Sequence, residues 1–250
     1  MKWNPKKFVA FVLTIGMVIS PVRTAFAEGE LEEGNGIGVG EMEGTIETDI
    51  YHVVMPTDVD GVFDFIMDPQ SLINETDAAA YDGLTFEEDS TVFFRRLDEG
   101  AEEDYSSMSD AVKIVNKSSM AVDVTLKVEV VESSMQGITM TNDEDFTDDT
   151  SASLYLAVAD GENVVPIGNE GAVIETMIAS APEGAYEYVY DSESGEYTYG
   201  LREDVSDVDF AEYSFQLMGA VNGKGDWSRV TDETPRIVVT WNVSPSIPSE

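Results

Sequence analysis

Hydrophobic and polar residues alternate most regularly between Met120 and Glu132. Val122, Val124, Leu126, Val128 and Val130 take every second position, with Asp123, Thr125, Lys127 and Glu129 between them. A period of two held this long gives an extended chain one dry face and one wet face, whereas a helix would scatter the same valines around its axis. β-Branched side chains also stiffen an extended backbone. The stretch therefore predicts a central strand of an antiparallel sheet on which the other strands assemble.

The same pattern recurs along the chain. Thr45–Met55 reads as a strand carrying Ile46, Ile50, Val53 and Val54 and stopped by Pro56, and Val62–Met67 as a second, closed by Asp68-Pro69. Thr57–Gly61 between them has turn composition. Asp77–Ala80 predicts a short helical turn. Thr91–Arg96 and Ala111–Asn116 are further strands, and the short link Asn116-Lys117-Ser118-Ser119 predicts a hairpin joining 111–116 to 120–131. Gly137–Thr141 and Ser153–Val158 follow. Gly171–Ala181 suits a short helix or a strand, and its pattern does not arbitrate. Tyr186, Tyr188 and Tyr190 alternate into Asp191–Gly195, and Tyr197 and Tyr199 alternate out, which predicts a hairpin with a tyrosine ladder on one face. Phe210–Val221 sets Ala211, Tyr213, Phe215 and Leu217 against Glu212, Ser214 and Gln216. The last strand, Arg236–Val243, puts Ile237, Val239, Trp241 and Val243 on one face. Many short strands, acidic turns and little helix predict an all-β antiparallel β-sandwich, Greek-key or jelly-roll-like. One domain over 45–250 is the economical division, with an embellishment around 142–201 as the alternative.

The amino end changes this picture. Lys2, Lys6 and Lys7 precede the apolar run Phe8–Ile19, and Thr24-Ala25-Phe26-Ala27 supplies small residues at −3 and −1 of a cleavage site. The run is shorter than the roughly 20 residues that cross a bilayer, so 1–27 is expected to be a cleaved signal peptide and the mature protein to be exported without membrane insertion. Residues 28–44 form a Gly/Glu-rich leader expected to be flexible. With the four basic residues of the first 27 set aside, nine remain against fifty acids, a charge of −41. Such a charge repels nucleic acid and anionic polymers and keeps the chain soluble. There is no cysteine, which removes disulfides, thiol catalysis and thiolate metal sites, and leaves stability to the apolar core.

Candidate chemistry is sparse. His52 is the sole histidine, no Gly-x-Ser-x-Gly elbow accompanies it, and fifty acids make any carboxylate pair uninformative, so no catalytic set is expected. The acidic loop with Asp143, Glu144, Asp145, Asp148 and Asp149 offers hard oxygen ligands that suit Ca²⁺, as does the smaller pair Asp58 and Asp60, but the spacing is not an EF-hand loop. A solvated acidic loop is the competing reading. Tyr186, Tyr188, Tyr190, Tyr197 and Tyr199, joined by Trp227, could form a glycan-stacking or protein-contact face; cross-strand packing is the plainer alternative. Asn74, Asn116 and Asn242 each open an N-x-Ser/Thr pattern.

Val239-Thr240-Trp241-Asn242-Val243, followed by Pro245 and Pro248, resembles the Thr-Trp-x-Leu/Val ending of the WxL surface proteins of Gram-positive bacteria, with Val53-Val54-Met55-Pro56 and Phe63-Asp64-Phe65 similar to their amino-terminal half. The upstream Trp-x-Leu of that family is missing, since Ser228-Arg229 follow Trp227. The Asn116-Lys117-Ser118 link resembles the secreted subunits of TasA/camelysin-type matrix fibres. These resemblances imply a Gram-positive source and a secreted, non-enzymatic surface or matrix β-sandwich, structural or adhesive, whose partner is a cell-wall component, a surface protein or the chain itself. The alternative expectation is a carbohydrate-binding module assisted by calcium. The carboxyl end carries no sortase-type motif, so covalent wall anchoring there is not expected.

Overall fold

The computed structural model describes residues 49–246, apart from 58, 60, 83, 97–103, 133, 134, 136, 147–149, 194 and 231–234. The expected signal peptide and leader, the first residues of the 45–55 strand, and Asp58, Asp60, Asp148 and Asp149 lie outside the described residues. Strands make up 47% of the described residues, arranged in several mainly antiparallel sheets with almost no helix among them.

In chain order the strands are β1 (Val53–Val54), β2 (Phe65–Met67), β3 (Thr85–Phe86), β4 (Val92–Arg96), β5 (Asp104–Ser106), β6 (Val112–Asn116), β7 (Val122–Val130) and β8 (Thr139–Thr141). They continue with β9 (Ser153–Asp160), β10 (Asn163–Pro166), β11 (Ala172–Ile178), β12 (Tyr186–Asp191), β13 (Glu196–Leu201), β14 (Glu212–Val221) and β15 (Ile237–Pro245). The undecided 171–181 segment is therefore a strand. One short helix, α1 (Leu72–Glu75), and a single 3-10 turn, Ala79–Tyr81, sit between β2 and β3. Asp68 organises this corner: its two carboxylate oxygens accept the N–H groups of Leu72 and Ile73 at 2.9 and 2.8 Å, which occupies donors left open at the helix start.

A six-stranded sheet runs β1-β6-β14-β9-β10, with β8 also on β9. A three-stranded sheet runs β11-β7-β15, so β7 is central in it and β11 and β15 are its edges. Inward residues of both sheets meet in one apolar cluster: Val122, Val124, Leu126 and Val128 of β7 with Ile114, Leu154, Leu156, Val158, Phe215 and Leu217. On β7 the alternation appears as predicted, the four inward residues being buried and Asp123, Lys127 and Glu129 exposed. β15 turns Ile237, Val239, Trp241 and Val243 toward the same cluster.

β14 binds this arrangement together. Its first half, Glu212–Phe215, pairs with β6, and its second half, Gln216–Val221, pairs with β9. Gly219 lies where β4 crosses: a Cβ there would stand 2.7 Å from Leu156 Cδ2 and 3.3 Å from Val92 Cγ1. Absence of a side chain is what lets β4 approach. A four-stranded sheet, β2-β4-β5-β3, is anchored by that contact. Val92 and Phe94 of β4 enter the main cluster while Phe93, on the opposite face, enters a second one with Ile73 and Ala78.

Three expectations are corrected. The 111–116 and 120–131 strands do not form a hairpin: β6 pairs with β1 and β14, β7 with β11 and β15, and the link between them carries the chain from one sheet to the other. Asn116 is the physical reason. Its buried Nδ2 donates to the carbonyls of Met120 (2.9 Å), Ala179 (2.8 Å) and Ile178 (3.2 Å), and its Oδ1 accepts the Ser118 N–H at 2.9 Å. Residues 50–52 zip the link from outside: His52 N–H donates to Ser118 Oγ at 2.9 Å, and Ser119 N–H to the Ile50 carbonyl at 2.9 Å. Second, β9 is buried on both faces through Ala159, not half-exposed. Third, the pairing is not wholly antiparallel, since β3 joins β5 and β8 joins β9 in parallel.

Candidate functional site

β12 and β13 form the predicted hairpin as a separate two-stranded sheet, with Tyr188 opposite Tyr199 and Tyr190 opposite Tyr197. Cross-strand partners with one orientation share a face, so the five tyrosines line one side. Their ring centroids are 5.4 Å apart for Tyr186–Tyr199, 4.5 Å for Tyr188–Tyr199 and 4.9 Å for Tyr190–Tyr197. The outer part of this ladder is exposed: Tyr188, Tyr190 and Tyr197 retain 52%, 54% and 58% of their surface. Val189, on the opposite face, is 52% exposed. A hairpin wet on both sides contributes little to the core, and an exposed aromatic patch of this kind is what contact surfaces carry.

The hairpin is fixed at its base. Ala185 is fully buried, Arg202 N–H donates to its carbonyl at 3.0 Å, and Ala181 N–H donates to the Ser118 carbonyl at 2.8 Å. Tyr186, the innermost rung, donates its hydroxyl to the Lys117 carbonyl. The tyrosine ladder is thus tied to the sheet-to-sheet link that Asn116 organises. Lys117 holds its Nζ 5.0 Å from the centre of the Phe210 ring, a cation–π contact beside the base.

Burial, and secondarily the neighbouring Tyr199, pushes the Tyr186 phenol up to about 12. A folded-state value above the unfolded one favours the protonated form, so its stabilising contribution is complete below pH ~10 and is lost as pH rises from about 10 to 12. Burial raises Tyr213, Tyr51 and Tyr155 as well, so ultraviolet titration is expected to show several phenols ionising above the exposed tyrosines. Tyr186→Phe should remove one phenol from that late fraction and shift the alkaline unfolding limb to higher pH. A titration unchanged by the substitution would contradict the assignment.

Trp227 does not join the tyrosines. It lies in the 3-10 turn Trp227–Arg229 after β14, packs partly on the main cluster, and donates Nε1–H to the Asn222 carbonyl at 2.7 Å. The hairpin base adjoins the start of β14 and Trp227 its end, a separation of about 30 Å for a strand of this length. Of the acidic loop, Asp143 and Asp145 are exposed, and one Asp143 carboxylate oxygen accepts the Asp145 N–H at 2.9 Å. Among the described residues no group of three or more His, Cys, Asp or Glu side chains is placed to hold a metal ion. His52 sits next to the link; burial first, and then the Lys117 charge, hold its pKa below the ordinary histidine value.

The residue that sequence reading undervalued is Asn116. Its N-x-Ser pattern suggests a glycan acceptor, yet the amide is fully buried and its donors are occupied by carbonyls. Only the polar residue inside an otherwise apolar alternation hinted at this. Asn74, by contrast, is exposed at the surface of α1.

The described residues define a predominantly β protein of several mainly antiparallel sheets carrying an exposed aromatic hairpin. No protein-family model, curated protein or solved structure matches the chain.

Proposed function

We propose that this protein is a secreted, non-enzymatic β-sandwich of the cell exterior, structural or adhesive in role, that engages a wall component, a surface protein or its own kind through the β12–β13 hairpin. The observation carrying this reading is the row of tyrosines, three of them more than half exposed, on a hairpin whose base is anchored. Large rigid aromatics contribute contact area at low entropic cost and are enriched where proteins touch partners. In the sandwich reading, the six-stranded and three-stranded sheets are the two layers, and β15, an edge of the smaller one, is a second surface available for strand addition.

Co-sedimentation of the full chain with purified Gram-positive walls, together with sedimentation velocity of the chain alone, tests the proposal. Wall retention or self-association is expected, and either should be lost in Tyr188→Ser/Tyr190→Ser/Tyr197→Ser. A strict monomer that leaves walls untouched would overturn it. The exposed ring faces also favour a second reading, a carbohydrate-binding module that stacks sugars on Tyr188, Tyr190 and Tyr197. A glycan array with hits abolished by the same triple variant would select that reading instead.

A further inference from the structure

We infer that the ligand of the tyrosine hairpin is a basic, extended segment of another protein, with lysine or arginine at alternate positions. The inference rests on the hairpin's being a contact surface and adds the chemistry of its partner. Residues 186–201 contain five tyrosines, four acids (Glu187, Asp191, Glu193 and Glu196) and no lysine or arginine. Aromatic faces attract cations through the ring quadrupole, while Glu187 alternates with the tyrosines and lies on the face opposite the rings, so the acids of the hairpin act through the overall negative field, which favours the same sign of partner. The body of the protein, at −41 after the first 27 residues, steers toward the same sign.

A second copy of the chain is a poor source of that cation. Its basic side chains are largely committed: Lys113 to Glu212, Lys127 to Glu129, Arg96 to Asp110, Arg202 to Asp207, and Lys117 to Phe210. Like charge between copies adds a repulsion that a basic partner turns into attraction.

The ladder also sets a spacing. The pairs Tyr188/Tyr199 and Tyr190/Tyr197 are two residues apart along each strand, about 7 Å, which is the distance between same-side residues of an extended peptide. A cation at every second position can therefore sit over successive rungs.

The probes are two short peptides of identical composition, one alternating lysine and threonine, the other with all lysines in one block, each titrated into the full chain by fluorescence anisotropy. The alternating peptide is expected to bind several-fold more tightly. Tyr190→Leu/Tyr197→Leu should weaken it about tenfold, while Tyr190→Phe/Tyr197→Phe, which keeps the rings, should stay within about twofold. Equal affinity for the two peptides, or equal loss in the leucine and phenylalanine variants, would overturn the inference and reduce the attraction to net charge. The peptide-order comparison uses the unaltered protein, so it stands even where a variant disturbs the hairpin. Tyrosine-dependent wall binding with no peptide discrimination would sink the basic partner and leave the contact surface intact; peptide discrimination lost in the leucine variant, with no wall binding or self-association, would keep the hairpin as a contact surface and remove the wall and a second copy as its partners.

Discussion

Phe215→Ala is expected to destabilise the protein by about 3–5 kcal/mol, the range for deleting a buried phenylalanine whose site cannot collapse. Phe215 is 1% exposed and stands where β14 leaves β6 for β9. Its ring centroid is 6.2 Å from Phe63, 5.9 Å from Tyr213 and 6.4 Å from Trp241. Those partners come from the turn before β2, from β14 itself and from β15 in the other sheet. Backbone ladders hold β14 and β15 in different sheets, so neither can move inward to fill the space alone. Total stability of a domain is only about 5–15 kcal/mol, which makes this a large fraction. Urea unfolding would show a lower midpoint at unchanged slope, and the near-ultraviolet signal of Trp241 should weaken in the native state. A loss below about 1 kcal/mol would mean that the sheets repack, and that Phe215 is not their joint.

Asn116→Ala is expected to cost at least about 3 kcal/mol, and Asn116→Asp more. The alanine leaves the Ile178 carbonyl without its donor and the Ser118 N–H without its acceptor inside the protein, and takes the same donor from the Met120 and Ala179 carbonyls nearer the surface. Each buried polar group left unpaired costs roughly 1–3 kcal/mol. Aspartate has nearly the same shape but no N–H, so it points oxygen at carbonyl oxygen and must either stay protonated or bury a charge. Packing alone would rank the two substitutions the other way. Equilibrium unfolding of both variants at neutral and mildly acidic pH separates the explanations: the aspartate variant should recover part of its loss as pH falls, whereas the alanine variant should not. Because the link also receives the Tyr186 hydroxyl at Lys117, both variants should loosen the tyrosine hairpin and lower the late phenol ionisation.

The alternating pattern was sufficient to place β7, β14, β15 and the tyrosine hairpin, down to the facing of Val122–Val128 and of Ile237–Val243. The reason is local. A strand covered on one face needs apolar residues at every second position, and that demand is written into the chain wherever the other face is wet. The hairpin was legible too, because tyrosines alternate on either side of the turn-forming stretch Asp191–Gly195; its register, Tyr190 beside Tyr197, came from the structure.

Long-range choices were not local and could not be read that way. An alternating pair of strands joined by four polar residues looks the same whether the strands are neighbours in one sheet or face each other across a core. Here the core decided, because Asn116 finds three carbonyls, two of them at the end of β11, only if the link crosses between sheets. β9 reads as half-buried for the same reason: Tyr155, Ala157 and Ala159 are small or amphipathic enough to suit water, and neighbouring elements cover them. Exposure of the tyrosines and the remoteness of Trp227 are likewise properties of the assembled sheets. Local alternation was enough to mark the long strands β7, β14 and β15 and the apolar side of each, since both follow from neighbours two positions apart; it left 171–181 undecided and passed over the short strands β3, β5 and β10. Which strands share a sheet, where the polar core residue is satisfied, and which aromatic row stays in water emerged on folding, since those depend on contacts between residues sixty or more positions apart.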